Sequence, residues 1–272
     1  MINQIKALII ILFSQIRLNK DEINGNLKYF TLFKFHISYS LELPFSNGRT
    51  VRGVKFNSEL DIYSKTVKDI LNEKNTDQII ISLYKKYKSF EPKKVSDLNS
   101  FISNRKLRKY PIWAMLLPWE KGELSNIKQR YLLSFHHNRS ENGMRFKDDK
   151  LENIETMIYS KDTAKSHVFQ FKKLIQKIKK RGYIVNYNDL PTALIFIKDK
   201  KWFWMMSSSG NHRAHIMSEL KSKNFKCRIV GIIKYSELDR ATNVTKKIFN
   251  QDEARFFFDK IFKGYKPIRG HL

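Results

Sequence analysis

Cysteine is almost absent from this sequence of 272 residues, which contains Cys227 alone. A single cysteine cannot form an internal disulfide and cannot supply a cysteine-based zinc site. Cys227 lies in a stretch from Phe225 to Val230 that is typical of a strand. We therefore expect its thiol to be buried and to pack as a small apolar side chain, not to act as a reactive group.

Hydrophobic runs long enough to cross a membrane are also missing. The apolar run from Ala7 to Phe13 is much shorter than the roughly 20 residues that a spanning helix needs. The residues from Ser14 to Arg17 offer no small-residue cleavage site of the secretory type. We therefore expect a cytoplasmic protein.

The apolar residues of this N-terminal segment share one helical face: Ile5, Leu8, Ile9, Leu12 and Ile16. This spacing predicts an amphipathic helix packed on the domain. In the alternative interpretation, the helix is basic and interfacial, and attaches the protein peripherally to an anionic membrane surface.

Acidic residues are few relative to basic ones, with 26 Asp and Glu against 52 Lys and Arg, a net charge of +26. Such a charge attracts polyanions, including nucleic acid, nucleotides and anionic lipid. The cations are spread along the whole chain, so a solvated basic surface with no dedicated polyanion site is the alternative. An apolar content of 42% argues against a disordered chain.

The first half has the pattern of a mixed α/β region. Alternation from Leu27 to Leu43 predicts a strand pair, and helical spacing occurs from Tyr63 to Lys74 and from Ile79 to Phe90. Two prolines among bulky residues predict a structured loop from Lys106 to Glu120. The turn signal Asn142-Gly143 marks our boundary between an N-terminal region, 1–142, and a core domain, 143–237, followed by a helical extension, 238–272.

The second half has clearer patterns, and the whole chain is predicted to be α+β. An amphipathic helix with a glycine C-cap, Gly182, precedes a hairpin, and a capping box, Asn250 with Glu253, begins a last helix. The predicted helix, hairpin strands and closing strand are Asp162 to Arg181, Thr192 to Ile197, Trp202 to Met206, and Phe225 to Ile233.

The loop between the hairpin and the next helix is rich in small polar residues. A helix start leaves about four backbone N–H groups unsatisfied and carries a partial positive charge, so it can bind an anion. Gly210 permits a left-handed backbone or a close approach to phosphate, and His212 and Arg213 add a titratable donor and a guanidinium fork. The predicted phosphate-binding residues are Ser208, Ser209, Gly210, Asn211, His212 and Arg213. In the alternative, this is an ordinary turn with Ser209 or Asn211 as N-cap.

The order of these elements resembles the ParB/sulfiredoxin superfamily over about residues 151–235. The resemblance is carried by the helix Leu174 to Gly182, the signature Gly210 to Ala214, and the strand Phe225 to Ile233. It implies a ParB/sulfiredoxin-like α/β core whose loop binds nucleotide phosphates through Gly210, His212 and Arg213. Members include CTP-hydrolysing partition proteins, sulfiredoxins and free-serine kinases.

Two departures from the superfamily narrow the expected activity. Asn211 occupies the place of the cysteine that sulfiredoxin chemistry needs, and the segment after Tyr235 is too short for the helix-turn-helix domain of partition proteins. We therefore expect an ATP- or CTP-dependent phosphotransferase of the kinase type, or a nucleotide hydrolase, with Mg²⁺ on the phosphates and an acceptor that the sequence does not identify. The alternative is a non-catalytic binding protein for nucleic acid or another polyanion.

Other residues are candidates for supporting roles. Arg49 and Arg52, in a glycine-flanked loop, are predicted to clamp a phosphate or carboxylate, with exposed turn arginines as the alternative. Glu155 is a candidate catalytic base, with a surface carboxylate as the alternative. No spacing of histidine and carboxylate residues supports a metal site in the protein, and we predict none.

Overall fold

The computed structural model describes residues 39–89, 92–112, 115–120, 124, 160–185, 189–207 and 209–268. The predicted N-terminal helix, most of the strand pair from Leu27 to Leu43, and the boundary turn at Asn142-Gly143 lie outside these ranges. Within the described ranges, no helix is long and apolar enough to cross a membrane.

The described chain contains five strands, eight α-helices and two 3-10 helices, Phe45–Asn47 and Tyr235–Arg240. The strands are β1 (Tyr39–Pro44), β2 (Gly48–Arg49), β3 (Thr192–Lys198), β4 (Lys201–Met206) and β5 (Asn224–Lys234). The helices are α1 (Ile62–Leu71), α2 (Thr76–Lys88), α3 (Val95–Leu98), α4 (Arg105–Lys109), α5 (Lys161–Arg181), α6 (Asn211–Glu219), α7 (Thr242–Thr245) and α8 (Gln251–Lys263). The mixed content confirms the predicted α+β class.

The strands form one mixed sheet in the order β1-β5-β3-β4-β2. The predicted hairpin of β3 and β4 is confirmed, with antiparallel pairing from Ala193↔Met206 to Lys198↔Lys201 and a turn in which Asp199 has a φ of 54°. β5 lies parallel to β3 on one side and antiparallel to β1 on the other. β2 pairs parallel with β4.

The sheet takes strands from both sides of the boundary predicted at residue 142. β1 pairs with β5 through Leu41↔Cys227 and Leu43↔Phe225, and the Trp204 indole N–H donates to the Pro44 carbonyl at 2.8 Å. The division into 1–142, 143–237 and 238–272 stays a prediction, since the boundary turn is outside the described residues. The sheet itself is shared by the first two of these segments.

Alternate residues of β3 and β4 face two different cores, as the two-residue period of a strand requires. One face contributes Phe196, Phe203 and Met205 to a core built with α8 and with the segment between α3 and residue 119. The opposite face contributes Ile195 and Trp204 to a core that includes Ala214 of α6. Both faces are therefore covered, and Cys227, fully buried, is part of the second core as predicted.

Helix α5 forms where its sequence predicts it. The Ser160 side chain accepts a hydrogen bond from the Thr163 amide at the N-terminus, and Gly182 follows the helix with a φ of 71°. A third core joins its apolar face to α1, α2 and α6, with buried Ala164, Val168 and Phe171. This helical layer positions the residues that contact His212.

The segment from Lys106 to Glu120 differs in part from its prediction as a loop. Arg105 to Lys109 form the short helix α4, because the Asn104 side chain accepts from the Leu107 amide and Leu107 is fully buried. The described residues that follow, including Leu117 and Trp119, are buried without regular helix, so the loop prediction holds there.

Candidate anion-binding site at the start of helix α6

The turn before α6 requires glycine at position 210. Gly210 is the N-cap residue of α6 and has a φ of 84°, in the left-handed region. A Cβ atom at this position would lie 2.4 Å from the Pro191 Cβ atom, which real structures do not show. The turn therefore follows a path that only glycine permits, with the backbone lying against the start of β3.

Hydrogen bonds hold the loop against the first residues of β3. The Ser207 amide donates to the Thr192 carbonyl at 2.8 Å, and the Ser209 hydroxyl donates to the Leu190 carbonyl at 3.2 Å. Ser209 is thus used to fix the loop. Ser208, the other serine predicted to bind phosphate, lies outside the described residues.

The helix start has no side-chain cap. Gly210 has no side chain to offer, so the alternative with Ser209 or Asn211 as N-cap is wrong. The Gly210 carbonyl accepts from the Ala214 amide at 2.9 Å, and the helix dipole places its positive end at this turn. The Asn211 Oδ1 atom is buried and has no hydrogen-bond partner among the residues described.

Arg213 forms an ion pair at the edge of this turn. Its Nη1 donates to the Asp189 carbonyl at 2.9 Å and lies 3.0 Å from the Asp189 Oδ2, while its Nη2 lies 3.1 Å from Oδ1. The Asp189 side chain is 63% exposed and that of Arg213 is 19% exposed. The guanidinium is therefore oriented by a carboxylate that faces solvent.

His212 contacts a group of aromatic rings on α1 and α5. Its ring centroid lies 4.8 Å from that of Phe171, 5.4 Å from that of Tyr63 and 5.6 Å from that of His167, all edge to face. His212 itself is only partly buried. One side of its imidazole is thus held by the protein at the first turn of α6.

The rings behind His212 are linked by hydrogen bonds. The Tyr63 hydroxyl bonds to that of Tyr87, and the Tyr87 hydroxyl lies 2.5 Å from the His167 Nδ1. Burial lowers the pKa of His167 to about 4 and raises that of Tyr63 to about 12. Both side chains are therefore neutral at neutral pH, and with Phe171 they form an uncharged wall behind His212.

A buried ion pair connects α6 to the start of α1. The His215 Nε2 lies 2.9 Å from the Asp61 Oδ1, and the His215 Nδ1 lies 2.7 Å from the Asn211 carbonyl oxygen. Asp61 also caps α1 by accepting from the Tyr63 and Ser64 amides. The pair therefore fixes the position of α6, and with it the turn at Gly210, relative to α1.

The charges of this pair depend on each other. Burial alone would raise the pKa of Asp61, but the neighbouring His215 and Arg52 and the backbone amide of Ser64 hold that pKa well below its usual range. Burial alone would lower the pKa of His215, but the Asp61 carboxylate raises it above its ordinary value. Each group favours the charged form of the other.

The positions of Arg49 and Arg52 contradict the prediction that the two side chains clamp a phosphate or carboxylate together. Both are buried, and they bind different parts of the chain. Arg49 donates to the carbonyls of Ile261 and Phe262 near the end of α8, at 3.0 and 2.8 Å, where a cation offsets the helix dipole. Arg52 donates to the Leu60 carbonyl at 3.5 Å, and its charge lowers the pKa of Asp61. The structure thus brings Arg52 toward the Asp61–His215 pair and leaves Arg49 elsewhere.

Sequence reasoning missed most of the residues that surround this site or fix its position: Asp61, Tyr63, Tyr87, His167, Asp189 and His215. His167 could have been found, since it lies on the buried face of the predicted helix from Asp162 to Arg181. Asp61 precedes an apolar helical pattern, as N-cap residues do. The contacts between α1 and α6 join residues that are distant in the sequence, and no local pattern predicts them.

The candidate base Glu155 lies outside the described ranges. Among residues that are described, no group of three or more His, Cys, Asp or Glu side chains could hold a metal ion.

Comparison with protein-family models, with curated proteins and with solved structures found no match to this chain. The resemblance to the ParB/sulfiredoxin superfamily accordingly remains an expectation based on the residues of the loop and its flanking elements.

Proposed function

We propose that this protein binds nucleotide phosphates at the start of α6 and acts as an ATP- or CTP-dependent phosphotransferase or nucleotide hydrolase. The observation that carries the proposal is the glycine turn at Gly210, which begins a helix without a side-chain cap. Backbone N–H groups at such a helix start attract an anion, and the dipole adds to the attraction. The fold around this turn would be of the ParB/sulfiredoxin type.

His212 and Arg213 supply the side chains of the proposed site. Both belong to the first turn of α6, where a phosphate would lie, and Arg213 is already aligned with a carboxylate, Asp189. A phosphate offers the same pair of acceptor oxygens with more negative charge. Arg213 would then stabilise the transferred charge, and His212 would donate a hydrogen bond to the phosphate or move a proton.

Mg²⁺ fits this site as a companion of the nucleotide. Magnesium commonly keeps several waters and binds through substrate phosphates with only one or two carboxylates. Asp189, next to Arg213 and 63% exposed, is a carboxylate of the described chain that could contribute one such contact. The ion would neutralise phosphate charge during transfer.

The most useful test is equilibrium binding of ATP, CTP, GTP and UTP with Mg²⁺ to the folded full-length chain. The proposal expects saturable binding to one site, and a preference among bases would identify the cosubstrate. Absence of binding up to about millimolar nucleotide, where the binding free energy falls to about 4 kcal/mol, would remove the proposal.

A non-catalytic protein that binds nucleic acid or another polyanion is the competing class. Its support is the net charge of +26. Such binding weakens steeply with salt, with a slope near −0.9 for each phosphate neutralised on duplex DNA. An affinity for DNA and RNA that does not change with salt, or none at low salt, would count against this class.

A further inference from the structure

Helix α5 has an apolar face in the core and a cationic face in solvent. Asp162, in the first turn, is the one acidic residue of its 21, whereas exposed cations continue to its C-terminus. The exposed cations are Lys161, Lys165, Lys173, Lys177, Lys179, Lys180 and Arg181. The helix thus presents a positive strip about 31 Å long, at 1.5 Å per residue.

An aromatic residue lies in the middle of this strip. Phe169 is 51% exposed, although most phenylalanine side chains are buried. At 3.6 residues per turn, Lys165 and Lys173 lie one turn to either side of it, each within about 40° around the helix axis. Lys180 lies within about 20° by the same geometry. The exposed ring is therefore flanked along the helix by the ammonium groups of Lys165 and Lys173.

This strip lies on the side of α5 that faces away from the candidate anion site. His167 and Phe171, which contact His212, are roughly 160° from Phe169 around the helix axis. The strip thus goes beyond the proposed nucleotide site and does not rest on it.

The chemistry of the strip favours single-stranded nucleic acid. Proteins that bind single strands combine cations, which bind phosphates, with exposed aromatic rings, on which unpaired bases stack. A membrane partner fits less well, because an interfacial helix inserts a whole apolar face into the bilayer. The apolar face of α5, including Val168 and Ile175, is buried in the protein core.

We propose that the solvent-exposed face of α5, defined by Lys165, Phe169, Lys173, Lys177 and Lys180, binds single-stranded nucleic acid. The lysines contact successive phosphates, and a base stacks on the Phe169 ring. The neighbouring helix α2 runs antiparallel to α5, with Lys172 bonded to Thr76 at one end and Tyr87 to His167 at the other. Lys85 and Lys88, near the end of α2, are also exposed cations.

The test uses fluorescence anisotropy of labelled oligo-dT and oligo-U, about 16 nucleotides long, with the full-length chain at several salt concentrations. Phe169→Ala should weaken binding about 5- to 150-fold and leave the salt slope unchanged, since the ring stacks but carries no charge. A double Lys165→Gln, Lys173→Gln variant should instead reduce the slope by about 0.7 for each phosphate that the protein no longer neutralises.

Phe101 provides the matched control, because it is 79% exposed and lies close in sequence to exposed Lys106 and Lys109. Phe101→Ala, and a double Lys106→Gln, Lys109→Gln variant, should each bind the oligonucleotides like the unaltered chain. Arg213→Ala should also leave this binding unchanged, which separates the strip from the nucleotide site.

Three results would overturn the proposal. The first is no oligonucleotide binding by the unaltered chain at about 50 mM salt. The second is an equal effect of Phe169→Ala and Phe101→Ala, or no effect of either. The third is that Phe169→Ala releases the chain from vesicles containing phosphatidylserine and leaves oligonucleotide binding intact, which would assign the strip to a membrane.

Discussion

Two independent constraints, the backbone conformation and the packing against Pro191, require glycine at position 210. Its positive φ would strain any side chain, and its nearest neighbour, Pro191, leaves no room for a Cβ atom. Gly182 also has a positive φ, but a Cβ atom there would meet nothing within 4 Å. The two glycines differ in packing and also in ψ, which is 7° at Gly210 and 176° at Gly182.

Gly210→Ala should lower the free energy of unfolding by about 2–4 kcal/mol, which combines left-handed strain with overpacking against Pro191. Gly182→Ala should lower the free energy of unfolding by a smaller amount, since Gly182 follows an exposed helix end that can relax. Urea unfolding of both variants measures the difference. A loss of only about 1 kcal/mol for Gly210→Ala, the cost of left-handed strain alone, would mean that the close approach to Pro191 contributes nothing.

The prediction that Arg49 and Arg52 clamp an anion was wrong for a physical reason. The spacing of Arg49 and Arg52 pairs them in the sequence, but spacing does not reveal which carbonyls or carboxylates lie nearby in the fold. Arg49 donates hydrogen bonds to the backbone carbonyls at the end of α8, which is more than 200 residues away in the chain. Arg213, by contrast, lies in the turn where the motif predicts it.

Among the elements, α6 and α1 are joined by the buried Asp61–His215 pair. His215 has a raised pKa, so its contribution to stability is complete below its unfolded value of about 6.5 and is lost as the pH rises through the folded value. Asp61 has a lowered pKa. Its contribution to stability is therefore present above about pH 3.9, its unfolded pKa, and is lost as the pH falls through its folded pKa. Arg52 beside Asp61 and Glu219 on α6 favour the same charged forms.

Asp61→Asn should therefore destabilise the protein most between about pH 4 and 6.5. Asparagine can still cap α1, so the loss of about 3–5 kcal/mol expected for a broken buried pair reflects the charge. Urea unfolding at about pH 5.5 and again at about pH 9 should show a smaller loss at the higher pH, because the contribution of the pair decreases as the pH rises toward and through the raised pKa of His215.

Asp77→Asn is a suitable control, since Asp77 is exposed in the first turn of α2 and should change stability by less than about 1 kcal/mol. A loss for Asp61→Asn that is equal at both pH values would show that the ion pair is not the source.

The elements of the second half were predictable because their sequence patterns are local. Helix α5 has a continuous apolar stripe and two caps, and the hairpin of β3 and β4 has alternating residues around a two-residue turn. The parallel pairing of β3 with β5 and the edge positions of β1 and β2 were not predicted. Such pairings depend on contacts between distant segments, which leave no periodic pattern.

For the whole molecule, the sheet makes the N-terminal segments part of the same core as the predicted domain. Leu41 and Leu43 of β1 pack in the core that contains Trp204, and the Phe56 ring centroid lies 5.4 Å from that of Trp204. Residues 143–237 alone would lose this cover and would expose one edge of β5.

A fragment of residues 143–272 should therefore fail to unfold cooperatively in urea, whereas the full-length chain should show one sigmoidal transition. The physical reason is the exposed apolar surface of Trp204 and Phe225 and the unpaired edge of β5. Circular dichroism against urea concentration measures both. A fragment with a sharp transition and a midpoint like that of the full chain would establish 143–272 as an independent unit.

The central claim is that the turn from Ser209 to Arg213 binds nucleotide phosphate. Titration calorimetry with Mg²⁺ and each nucleotide, on the unaltered chain and on Arg213→Ala, tests it most directly. Loss of a charge-assisted bond worth about 1.5–3 kcal/mol should weaken binding roughly 10- to 150-fold, with partial rescue in Arg213→Lys because an ammonium keeps the charge without the planar fork. Binding by Arg213→Ala that equals that of the unaltered chain would contradict the account, and would leave Arg213 as a structural partner of Asp189.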